Sequence, residues 1–73
     1  MPISLRDKAI AALQFAMNKR YNTELTFQMV EHWVGSDASI ETIDEYTSEV
    51  DAGDDTAVTP SDITSLWEES LED

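Results

Sequence analysis

The chain has no cysteine, only two glycines and two prolines, one histidine, and four basic residues among 73. Each scarcity excludes something. Without cysteine there are no disulfides and no thiolate metal sites, and a reducing cytoplasm is the expected compartment. A chain this short buries only about 60% of its unfolded surface, so one small domain is expected, and self-association into a homodimer is a common way to enlarge such a core. The longest apolar-rich stretch, Ala9 to Met17, is interrupted by Gln14. It falls well below the roughly 20 residues of a membrane span. It also lacks the small residues of a signal-peptide cleavage site, because Asn18, Lys19 and Arg20 follow it. A cytoplasmic chain with no membrane partner is the expectation.

What the chain does have is negative charge, net −12. That exceeds the magnitude of about 2–8 that serves solubility in a small domain. Its distribution says more. Arg6, Lys8, Lys19 and Arg20 all precede position 21, whereas fifteen of the sixteen acids lie from Glu24 onward. A chain tuned only for solubility would intersperse the two signs.

The periodicity predicts an all-α fold, a small single domain of three to four short helices over residues 1–73. Ser4 is a good N-cap with Asp7 three residues on. Leu5, Ala9, Ala12, Leu13, Ala16 and Met17 then recur at helical spacing, and Lys19 and Arg20 supply the sign a helix C-terminus favours. Residues 24–34 fit either a strand face (Leu25, Phe27, Met29, Trp33) or a helical stripe (Leu25, Met29, Val30, Trp33, Val34). Helix is preferred, since a lone strand has nothing to pair with, Thr23 suits a cap and Gly35 a stop. A third helix is expected from about Ser39 to Val50 with Ile40, Ile43, Tyr46 and Val50 inward. Asp51 to Val58 reads as a polar turn. Thr59-Pro60-Ser61-Asp62 then has the pattern of a helix start, and Ile63, Leu66, Trp67 and Leu71 form the stripe of a fourth helix. Trp33 and Trp67 are expected in the core.

Catalysis has little to draw on. His32 stands beside an apolar stripe with no nucleophile motif near it, and the chain has no Gly-rich phosphate loop, so no catalytic residue and no cofactor is expected. The stretch from Asp51 to Asp62 partly matches an EF-hand loop. Asp51, Asp55, Val58 and Asp62 match positions 1, 5, 8 and 12, and Thr59 suits position 9. However, Gly53 offers no ligand at position 3, Thr56 replaces the glycine at position 6, and Asp62 is shorter than the usual glutamate. The pattern is too damaged for a metal to be expected, and a degenerate EF-hand-like calcium module remains an alternative reading.

The acids are the remaining signal. Glu41, Glu45 and Glu49 recur at four-residue spacing with Asp44 beside them, and each such like-charge pair costs a few tenths of a kcal/mol. Glu68, Glu69, Glu72 and Asp73 put negative charge at the negative end of a helix dipole, unfavourable by about 0.3–1 kcal/mol per group. Local rules broken without local compensation point toward function. Carboxylates on one helical face repeat every ~6 Å, of the order of phosphate spacing along a nucleic-acid strand. In charge character, size and lack of catalytic groups the chain is similar in type to the DNA-mimic inhibitors with which phages and mobile elements counter host restriction and CRISPR nucleases. The expected function is therefore that of an acidic inhibitor or adaptor occupying the basic groove of a nucleic-acid-binding protein or nuclease. Glu41, Asp44, Glu45 and Glu49 would form the stripe, Asp51, Asp54 and Asp55 its extension, and Glu68, Glu69, Glu72 and Asp73 a second patch. A small acidic protein–protein adaptor without mimicry fits the same charge, as does an acidic face that is merely solvated. Direct nucleic-acid binding is disfavoured by the sign of the field.

Overall fold

Capping residues divide the chain into four helices in the computed structural model, which describes residues 4–53 and 59–71. They are α1 (Leu5–Tyr21), α2 (Phe27–Val34), α3 (Ile40–Ala52) and α4 (Pro60–Leu71), and no strand occurs among the described residues. The fold is all-α, as the apolar periodicity implies. Ser4 caps α1, its hydroxyl accepting from the Asp7 N–H at 3.0 Å. Ser39 does the same for Thr42 at the start of α3. At α4 the box is reciprocal. The Asp62 N–H donates to the Thr59 hydroxyl at 3.3 Å, while the Asp62 carboxylate accepts from the Thr59 N–H at 3.1 Å. Pro60 occupies the first helical position, where a missing N–H costs nothing. The two glycines end α2 and α3, and Gly53, at φ 77° and ψ 13°, adopts the left-handed conformation that a helix C-cap favours.

One boundary departs from the sequence reading. Thr23 does not cap α2; Thr26 does, accepting from the Met29 N–H at 3.2 Å, so the helix begins at Phe27. The cause is Asn18. Its backbone carbonyl accepts from the N–H groups of Asn22 and Thr23, with Asn22 in the left-handed region. Its side-chain Oδ1 accepts from the Thr23 hydroxyl and the Leu25 N–H, both at 2.8 Å, and its Nδ2 donates to the Leu25 carbonyl at 3.0 Å. Gln14 donates to the same carbonyl, also at 3.0 Å. Residues 23–25 are thereby bonded to the flank of α1 and are not free to continue a helix. Leu25 is left buried against it.

The core takes side chains from every helix: Ile10, Leu13 and Met17 of α1, Val30 of α2, Ile43 and Val50 of α3, and Ile63 of α4 are fully buried. The stripe on α1 is rotated from the expected one. Ile10 is buried while Leu5 and Ala12, expected inward, face solvent. The larger branched side chain buries more apolar area than an alanine, and the helix turns to accommodate it. Ile40, Leu66 and Leu71 are likewise exposed where burial was expected. Trp33 is half-buried, edge-on to Tyr46 of α3 at 5.1 Å, and half-buried Trp67 takes His32 of α2 edge-on at 5.8 Å. These pairs tie α2 to both later helices.

α1 is the hub, packing on α3 and α2, while α4 lies on α2. Two arginines close the arrangement. Arg6, in the first turn of α1, donates to the carbonyls of Gly35 and Ala38, and Arg20, in its last turn, donates to the Gly53 carbonyl at 3.3 Å. α3 therefore begins near the start of α1 and ends near its end, so the two helices run parallel. The bonds to Gly35 and Gly53 bring positive charge to the carbonyl ends of α2 and α3, where it is favourable, while the bond to Ala38 holds the linker that leads into α3. Arg20 also lies over the Tyr21 ring at 4.9 Å.

Replacing Asn18 by Ala is expected to destabilise the fold by about 2–3 kcal/mol, since it leaves the backbone of buried Leu25 short of partners. For a domain of this size that lowers the thermal midpoint by about 10–20 °C. Circular-dichroism melts of wild type and N18A check this.

Candidate functional site: the acidic face of α3

The helical repeat sorts α3 into two faces. Ile43 and Val50 are buried and Tyr46 and Thr47 half-buried, with the Thr47 hydroxyl returned to the Ile43 carbonyl at 3.1 Å. On the outer side, Glu41, Asp44, Glu45, Ser48 and Glu49 are all exposed and together line one shallow open groove along the helix. At four residues per step and 1.5 Å per residue, the three glutamates advance by about 6 Å each. Because the opposite side of α3 packs on α1, about a helix diameter, ~10 Å, separates this groove from the basic helix. Among the described residues no lysine or arginine pairs with these four carboxylates. Repulsion within the row is therefore left uncompensated, at a cost of about 0.2–0.5 kcal/mol for each of Glu41–Glu45 and Glu45–Glu49.

The other expected site residues fall elsewhere. Asp51 is exposed at the C-terminal end of α3. It lines a separate recess with Ala16, Lys19, Arg20, Val50 and Gly53, where the basic end of α1 meets the end of α3. Asp51 stands seven residues after Asp44, on the same side of α3, at the end of the helix where Lys19 and Arg20 of α1 come close. Asp54 and Asp55 lie outside the described residues, as do Glu72 and Asp73. Glu68 and Glu69 are exposed on α4, and no α4 residue lines the α3 groove. The α3 row and the α4 acids are thus two surfaces. Ser48 is a groove residue that the count of acids passed over. Its place seven residues after Glu41 was the available signal.

His32 is exposed and its ring is packed on Trp67, so its visible role is in joining α2 to α4. Among the described residues no buried side-chain nitrogen or oxygen lacks a partner, and no group of three or more His, Asp or Glu stands together as a metal site would require. Of the EF-hand-like positions, Asp55, Thr56 and Val58 lie outside the described residues. Asp62 has its carboxylate bonded to both the backbone N–H and the hydroxyl of Thr59. A calcium ion held by both oxygens of Asp62 would have to displace that cap. Titration calorimetry is therefore expected to show only weak binding that magnesium reproduces. A single saturable calcium site of micromolar affinity with no magnesium response would instead make Asp51 and Asp62 ligands.

No helix among the described residues is long and apolar enough to cross a membrane. Comparison of the chain with protein-family models, with curated proteins and with solved structures finds no match.

Proposed function

We propose that the protein is a binding protein whose α3 face occupies the basic groove of a nucleic-acid-handling protein and competes there with nucleic acid. The observation that carries this reading is the exposed row of Glu41, Asp44, Glu45 and Glu49 around one groove, with every basic residue of the chain on a different helix. A helix holds the carboxylates at a repeat comparable with phosphates, and the rigid α1–α3 packing keeps them there at little further entropic cost on binding. Such a face would release counterions from the partner's groove as nucleic acid does, and be steered to it by the same field. Counter-defence against a restriction or CRISPR nuclease is the setting such chemistry suits. The α4 acids Glu68 and Glu69 form a separate patch. The same charge argues against direct contact with nucleic acid, and the reading assigns no catalytic residue, cofactor or membrane partner.

The test is capture from a lysate of the source cells on immobilised protein, with bound material challenged by double-stranded DNA. The wild type is expected to retain a basic nucleic-acid-binding protein that DNA displaces. The variant Glu41→Lys/Glu45→Lys/Glu49→Lys should lose it while keeping its helical circular-dichroism spectrum. Its melting midpoint should stay level or rise, because three like charges are exchanged for a mixed row. Unchanged retention by the triple variant would remove α3 as the contact face.

A further inference from the structure

The helices share the core unevenly. Of the fully buried apolar side chains, α1 supplies Ile10, Leu13 and Met17, α2 Val30, and α3 Ile43 and Val50, whereas α4 supplies Ile63 alone. Among the described residues, the partly buried apolar side chains packed on that core run from Tyr21 to Tyr46, so none comes from α4. The other inner positions of α4 are Pro60, Thr64, Trp67 and Ser70, all half-buried, and two of them carry hydroxyls. Trp67 rests edge-on against His32 of α2, which is itself exposed. The hydrogen bonds divide in the same way. Arg6 and Arg20 tie the ends of α2 and α3 to α1, whereas Asp62 and Ser70 bond locally, to the Thr59 cap and to the Trp67 carbonyl.

We infer that α4 is a detachable helix, which leaves α2 and unwinds as a unit while α1, α2 and α3 remain folded. A segment with few buried apolar contacts opens at a lower free energy than the global transition. Once off α2, a helix of 12 residues is marginal in water. Glu68 and Glu69, with no basic residue in the last turn, oppose the helix dipole as well. What stays behind has its own support. The packing of α1 on α3 is the most extensive between any two helices, and the arginines of α1 hold the ends of α2 and α3 without α4. Opening uncovers the side of α2 on which α4 packs. It leaves the α3 carboxylates as they were, since no α4 residue lines their groove. The device therefore exposes apolar surface independently of the acidic row, and it does not rest on the function proposed for that row.

Native-state hydrogen exchange, followed residue by residue in low urea, tests it. After correction for intrinsic rates, the amides of residues 65–71 are expected to exchange about tenfold or more faster than those of residues 9–17. They should share one opening, with a smaller urea dependence than the α1 amides show, because less surface is exposed. Ile63→Ala removes the one core anchor of α4. It should leave the α4 amides unprotected while those of α1 stay protected. Trp67 supplies a second readout, since it is the only tryptophan in Trp33→Phe. Its emission should shift at a lower urea concentration than the main loss of the helical circular-dichroism signal. Equal protection in all four helices overturns the inference, as does simultaneous loss of protection everywhere in Ile63→Ala, or coincident emission and circular-dichroism transitions. Protection in α4 that climbs steadily inward from Leu71 also overturns it, because the helix would then fray and not detach.

Discussion

Arg6 and Arg20 reach from the first and last turns of α1 to the C-cap carbonyls of α2 and α3, at Gly35 and Gly53, with Arg6 also holding Ala38 just ahead of α3, so that one helix ties down the other two. Neither α2 nor α3 has a lysine or arginine in its last turn. Each helix would present unpaired carbonyls and a partial negative charge there. The hub helix supplies the missing cations from outside. Parallel packing of α1 on α3, which aligns the two dipoles, is offset in part by Arg20 at the shared C-terminal end.

The same division of labour explains the surface. Two of the chain's four cations are engaged with backbone at the edges of the core, Lys8 lies on the outer side of α1, and Lys19 lines the recess where α1 meets the end of α3. None is within the row of acids on the far side of α3. Charge that a solubility argument would scatter is therefore sorted by helix, with the basic element at the centre and acidic elements around it. α3 keeps its four carboxylates at helical spacing because Ile43 and Val50 anchor its other face. What the row loses in repulsion the core supplies in apolar burial.

Much of this was legible because it is local. Ser4, Ser39 and the Thr59-Pro60-Ser61-Asp62 box mark helix starts by bonds spanning three residues, and the spacing of Glu41, Glu45 and Glu49 places them on one face without reference to anything else. What was not legible depends on distant partners. Thr23 has the chemistry of a cap, but Asn18 and Gln14 hold the chain extended past it through side-chain bonds to Leu25. The bonds from Arg6 span 29 and 32 residues, so no window along the sequence contains both ends. Asp51 looked like a continuation of the acidic row because it follows in sequence. Its closeness to Lys19 and Arg20 at the end of α3 depends on how α1 packs there, which no local window contains. The exposure of Phe15 was readable in principle, since it lies across the helix from Ala9 and Leu13.

If the acids of α3 form an uncompensated surface that serves as a groove-binding face, one preparation must show two opposite responses to salt. Screening shortens from about 10 Å in 0.1 M salt to about 3 Å in 1 M. It should raise the melting midpoint, because repulsion concentrated in the folded state is relieved, and weaken the complex with a basic partner, because the attraction is screened by the same ions. The measurement is a thermal melt and a binding titration run side by side from low to high sodium chloride. The account predicts a rising midpoint and a falling affinity. A midpoint that falls with salt would contradict it, since the acids would then be held by favourable local partners and the repulsive face would not exist.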